Sequence, residues 1–181
     1  MRARIESAGQ DWKHATKDYD RAIRLDPSNA DLFSERAYVE YLNNDYNLAI
    51  RDYQAVVRFR PKDADAWSDL AMTYDANKSY ESAVAALAHA LKINPASSYA
   101  YRRRSEVREA QKKYDLALED VSKAIALYHN DPNAYESRAR IRIDKNDLAG
   151  ALDDLDSAIK LDPKRRETCV ERAWIHAVQK K

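Results

Sequence analysis

Apolar and small residues return along this chain at helical intervals, in pairs of segments. One pair places Leu32, Phe33, Ala37 and Val39 on a first stripe, and Leu48, Ala49, Tyr53, Val56 and Val57 on a second. Recurrence at three and four residues predicts amphipathic helices, each with one face to bury. Polar breaks separate the two members of a pair: Asn43-Asn44-Asp45, Asn77-Lys78-Ser79 and Lys145-Asn146-Asp147. The second member runs into Asp-Pro, Arg-Pro or Asn-Pro, where the residue before proline is pushed out of helical backbone space. Helix, break, helix, proline is the unit.

That unit recurs every 34 residues: Pro27, Pro61 and Pro95 are followed at the same interval by His129 and Pro163. Ala15, Ala49, Ala83, Ala117 and Ala151 form one series in this register. Tyr19, Tyr53, Leu87, Val121 and Leu155 form another, always four residues on. Phe33, Trp67, Tyr101 and Tyr135 open the units, with Ala37, Ala71, Ser105 and Ala139 four residues later. Small residues such as Ala37 and Ala49 fall where two antiparallel helices must approach closely. A single pair cannot bury its apolar face alone, so neighbouring pairs must stack.

These residues resemble the tetratricopeptide repeat family, whose pattern over 34 residues is an aromatic, Leu-Gly, Tyr, Ala, an aromatic, Ala and Pro; the best match is Trp67, Leu70, Ala71, Tyr74, Ala83, Leu87, Ala90 and Pro95. The resemblance covers essentially the whole chain. It implies an all-α, right-handed α-solenoid of helix-turn-helix repeats forming a single domain over 1–181. The units expected are a partial repeat 1–29, repeats 30–63, 64–97, 98–131 and 132–165, and a terminal helix 166–181. Met1–Ala8 reads as the tail of a first helix. Arg166–Val178 reads as a first helix with no partner after it, and its Val170, Trp174, Ile175 and Val178 are not the polar outer side a capping helix wants. A piece of a longer array is favoured over an imperfect cap.

One departure from the family pattern recurs. Arg2, Arg36, Arg104 and Arg138 stand where the family has Leu, with Leu70 the exception. Sixteen residues after each arginine come Asp18, Asp52, Asp120 and Asp154, whereas sixteen after Leu70 comes Ala86. Both partners change together, so an Arg–Asp ion pair is expected to bridge the two helices of each unit, because a buried guanidinium is costly without one.

The resemblance also implies that the first helices of successive units line a concave groove that receives peptides or folded proteins. The partner-binding residues expected are Asp31, Glu35, Tyr38 and Tyr41 from one unit and Asp65, Asp69, Met72 and Asp75 from the next. Tyr99, Arg102, Arg103 and Glu106 follow, then Arg140. Two acidic units are followed by one that turns basic, which suggests a partner basic at one end, with apolar anchors for Tyr38, Tyr41 and Met72. One subclass of the family grips chaperone C-termini through Lys, Asn and Arg on three successive first helices. The windows beginning at Ser34, Ser68 and Arg102 supply no such cationic set, so that mode is not expected.

Composition narrows the function further. Only 2 Gly and 5 Pro against 34% charged residues fits helices joined by short polar links. With 31 basic and 30 acidic residues there is no global pull toward nucleic acid or membrane. Arg102-Arg103-Arg104 and Lys164-Arg165-Arg166 lack the continuous basic stripe that nucleic acid wants, so none is expected as a partner. His14, His89, His129 and His176 share no register, and with the lone Cys169 they make no zinc spacing. Gly9 and Gly150 are the only glycines, which leaves no phosphate loop. No metal, cofactor or catalytic residue is expected, and no membrane span. A cytoplasmic location is the default, with the periplasm open if a leader had been removed. The function expected is a non-catalytic adaptor for a protein or peptide. A self-assembly module that stacks end to end and a regulatory segment of a larger protein are the alternatives.

Overall fold

A computed structural model describes residues 12–179. Ten helices and no strand occur among them: α1 Trp12–Leu25, α2 Ala30–Leu42, α3 Tyr46–Phe59, α4 Ala64–Ala76, α5 Tyr80–Ile93, α6 Ser98–Ala110, α7 Tyr114–Leu127, α8 Pro132–Asp144, α9 Leu148–Leu161 and α10 Arg166–Gln179. They fall into two compact units, divided after Ile93. Within each unit every helix packs on the next in sequence, and in the second unit α6 also touches α8.

Local chemistry sets the helix ends. Each first helix from α2 to α8 starts at a capping residue 34 positions after the last: Asn29, Asp63, Ser97 and Asp131. Each side chain accepts from a backbone N–H of the first turn, as Asp63 does from Asp65 and Ala66 at 3.0 and 3.1 Å. Those orphan donors are what a cap satisfies. The same helices end with Asn44, Lys78, Lys112 and Asn146 at φ near +60°. Around each, two backbone bonds close the helix, for example Asp45 N–H to Glu40 O at 2.9 Å and Asn44 N–H to Tyr41 O at 3.0 Å. This is the Schellman turn, which reverses the chain in three residues.

Small and apolar series residues fill the interiors. In the first unit Ala37, Ala49, Tyr53, Ala71, Ala83 and Leu87 are buried. In the second, Ala117, Val121, Ala134 and Ile141 form one cluster. Ala139, Ala151, Leu155 and Ile175 form another. Alanine at facing positions lets the two helices of a hairpin approach closely without leaving a void.

The Arg–Asp pairs are present. Arg36 donates through Nε and Nη2 to both oxygens of Asp52 at 2.6 and 2.7 Å, and Arg104 grips Asp120 in the same fork at 2.8 and 2.6 Å. Arg138 and Asp154 repeat it at 2.9 and 2.6 Å. Arg2, the expected partner of Asp18, lies outside the described residues. Two layers were not foreseen. Arg108 and Arg142, four residues beyond the first arginine, add a second guanidinium to Asp120 and Asp154, each at 2.7 Å. Arg36 also reaches back to Asp20 on α1 at 2.5 Å, as Arg172 does to Asp156 on α9 at 2.6 Å. In the first hairpin Glu40 stands where Arg108 and Arg142 stand later. Burial, with Asp52 close by, raises the Glu40 carboxyl to about 7 despite Arg36.

Candidate functional site

In the first unit the expected partner-binding residues fall on one stripe of α2 and one of α4, at helical spacing. Both helices pack on α3. Asp31 and Asp65 are exposed in the first turns, and Glu35, Tyr38, Tyr41, Asp69, Met72 and Asp75 are half-buried. Asp31 pairs with Arg60 at 2.9 Å, whose hydrogen bond holds the carboxyl below the usual range. The Tyr41 ring lies 5.6 Å from that of Tyr46. Glu35 Oε2 is buried without a hydrogen-bond partner, and its charge helps raise the Tyr19 hydroxyl, after burial. Five carboxylates and no cation occupy these eight positions. The wall is acidic.

The second unit is different from its sequence pattern. Arg102 and Arg103 both close on Glu106 at 2.5 Å, and Arg102 also lies 3.2 Å from Asp131. Arg140 grips both oxygens of Glu109 across α6 and α8, at 2.5 and 2.9 Å. Arg165 reaches Glu136 and Asn133, and Thr168 donates to Glu136. The basic wall expected here is therefore largely neutralised by carboxylates of its own unit. Tyr99 remains 47% exposed, with the Arg102 guanidinium 5.6 Å from its ring centre.

The unit also carries an apolar stripe on α10, outside the expected partner-binding residues. Val170, Trp174 and Val178, spaced by four along α10, are 67, 53 and 42% exposed. The signal was available: Trp174 stands 34 residues after Arg140 and in register with Glu106, Met72 and Tyr38. Beside this stripe, Glu136, Arg140, Thr168 and Glu171 help to line a polar cleft of about 500 Å³.

No group of His, Cys, Asp and Glu among the described residues could hold a metal ion, and no helix there is long and apolar enough to cross a membrane. What the arrangement offers chemically is recognition: acidic, paired-charge and apolar surfaces fixed on rigid helices.

Capped helical hairpins repeating every 34 residues define a helical-repeat protein. Two tetratricopeptide repeat family models match, one over residues 40–107 and the other over residues 1–64 and 101–166. The chain belongs to the tetratricopeptide repeat family. Among curated proteins none matches it in sequence. Among solved structures, MamA superposes with a TM-score of 0.79 at 21% identity, covering 91% of this chain and 95% of that one. YrrB, described as a TPR protein with an unusual peptide-binding site, gives 0.75 at 19% identity over 94 and 88% of the two chains. The first TPR of Spaghetti (RPAP3), bound to an HSP90 peptide, gives 0.63 at 21% identity over 65 and 94%. At these identities the likeness is one of fold.

Proposed function

We propose that this protein is a non-catalytic scaffold that holds a peptide or protein partner against the first helices of its repeats, the repeats running 30–63, 64–97, 98–131 and 132–165. The observation that carries the proposal is the wall of the first unit. Asp31, Glu35, Asp65, Asp69 and Asp75 surround Tyr38, Tyr41 and Met72 on α2 and α4. A basic segment with apolar anchors complements it, the carboxylates steering encounter and the rings and thioether supplying buried contact. In the second unit Tyr99, Arg102, Arg103, Glu106 and Arg140 would meet a more polar stretch, because their charges are already paired. YrrB, described with a peptide-binding site, and the Spaghetti TPR, bound to an HSP90 peptide, support this use of the fold.

The test is affinity capture from lysate with the parent protein beside a variant carrying Asp31→Lys, Asp65→Lys and Asp69→Lys, checked for helicity by circular dichroism. Prey retained by the parent and lost by the folded variant supports the acidic wall. Identical prey on both refutes it.

A second reading has its own observation. The exposed Val170, Trp174 and Val178 stripe would suit self-association, because an apolar helix face gains from being covered. Sedimentation across a concentration series, with Trp174→Ser as the control, separates this from partner binding: only self-association grows with concentration and disappears in the variant.

A further inference from the structure

Among the described hairpins α4–α5 is the one that lacks the Arg–Asp clamp, and a pocket of the first unit opens beside it. Leu70 replaces the arginine, Ala86 the aspartate, and Tyr74 takes the place that Arg108 and Arg142 fill in the second unit. In the other hairpins a guanidinium and a carboxylate fill the space between the two helices. Here two short apolar side chains leave it vacant. The result is a pocket of about 470 Å³ between α3, α4 and α5, floored by the buried Leu70 and Ala86. That volume lies in the range of small-ligand and side-chain sites. Trp67, Leu70 and Tyr74 lie about opposite Asp65, Asp69 and Met72 around α4, at roughly 100° per residue. The pocket is therefore separate from the acidic wall.

Its lining has a definite character. Trp67 and His89 stack across one side, ring centres 4.4 Å apart and 16° from parallel. The Trp67 indole N–H donates to Pro61 O at 3.1 Å, which fixes the ring. Gln54 donates to the Tyr74 hydroxyl at 2.8 Å at the rim. Arg58 projects beside it, exposed and with no ion pair among the described residues, and no carboxylate lines the pocket.

We propose that this pocket is a second docking site, for an acidic peptide segment that inserts one aromatic side chain. The aromatic ring would extend the Trp67–His89 stack over Leu70 and Ala86, where offset stacking and apolar burial act together. The flanking carboxylates would meet Arg58, whose guanidinium is available for a bidentate bond. Charge separates this site from the first-helix wall: the acidic wall repels the segment that the pocket attracts.

The experiment uses the full chain and three fluorescein-labelled nonapeptides: a central Phe flanked by Glu and Asp, the same peptide with Ala in place of Phe, and the same with Lys in place of every acid. Binding is read by polarisation up to millimolar protein. The site is read from the indole N–H resonances, with Trp67 assigned through Trp67→Phe. The acidic Phe peptide should bind, shift the Trp67 resonance and leave that of Trp174 in place. The Ala and Lys peptides should bind at least tenfold more weakly. Ala85→Trp fills the pocket from its exposed rim without touching the core, and Leu70→Arg with Ala86→Asp rebuilds the clamp of the other hairpins. Each should weaken the acidic Phe peptide at least tenfold, as should Arg58→Glu. The triple Asp31, Asp65 and Asp69 reversal should not weaken it. No binding at millimolar protein overturns the proposal. So does equal binding of the Lys peptide, an unmoved Trp67 resonance, or full affinity in Ala85→Trp.

Discussion

Asp120 is the most sharply defined test of how these hairpins are held. Its side chain is 4% exposed and takes three guanidinium hydrogen bonds, two from Arg104 at 2.8 and 2.6 Å and one from Arg108 at 2.7 Å. Asp120→Ala leaves two largely buried cations without their anion, which costs about 3–5 kcal/mol. The second hairpin of the first unit shows how the same positions are filled without charge: Leu70, Tyr74 and Ala86. Arg104→Leu, Arg108→Tyr and Asp120→Ala together copy that set. Because replacing a whole buried ionic cluster by apolar groups is often neutral or stabilising, the triple variant should lie within about 1 kcal/mol of the parent or above it. The assay is urea unfolding in a background carrying Trp12→Phe and Trp67→Phe, so that Trp174 reports on the second unit alone. With a urea dependence of about 1–3 kcal/mol per molar, Asp120→Ala should lower the midpoint by about 2 M. The reasoning fails if the single variant is as stable as the parent, or if the triple is damaged as much as the single.

Further predictions follow from other sites. Glu40 has a folded-state pKa of about 7 against an ordinary 4.5, so the folded protein holds the proton more firmly and stability falls as pH rises between those values. Glu40→Gln should therefore stabilise at pH 8 by up to about 3 kcal/mol and lose that advantage below about pH 4.5, measured by thermal melts across pH. Lys112 sits at φ 58°, where a Cβ is disfavoured, so Lys112→Gly should raise stability by up to about 1 kcal/mol in denaturant titration; Gln111→Gly, outside that backbone region, should not. Asn29→Ala removes the side chain that accepts from the Asp31 N–H at 3.1 Å and should cost about 1 kcal/mol, read from the same titration.

The repeat and its clamp were legible because each rests on covariation at a fixed interval. When Leu70 replaced arginine, Ala86 replaced aspartate, and that coincidence exposed the pair without coordinates. The second guanidinium layer stayed hidden because its register reads Glu40, Tyr74, Arg108, Arg142, with arginine at only two of four places. The charge of the second unit's wall misled for a different reason. Arg140 is neutralised by Glu109, 31 residues away on another helix, a spacing that no single-helix rule predicts. Arg102 and Glu106, at i and i+4, could have been paired from sequence. The left-handed turns at Lys78 and Lys112 gave no compositional sign, since lysine has no special tolerance for positive φ, whereas Asn44 and Asn146 at the same register do. The pocket beside Leu70 and Ala86 followed from residues already singled out. Its opening depended on side-chain volumes that only packing reveals.

Both members of the Arg36–Asp52, Arg104–Asp120 and Arg138–Asp154 bridges lie on a single hairpin, sixteen residues apart. A genetic duplication or deletion with breakpoints in the proline-marked loops would copy or remove anion and cation as one piece. Of the contacts that cross from one hairpin to the next, the Asp20–Arg36 pair is intermittent: Gln54, Ala88 and Ser122 stand at the same place in later units, and an acid returns only at Asp156. Array length is thus free to drift by whole hairpins without parting a clamp aspartate from its arginine.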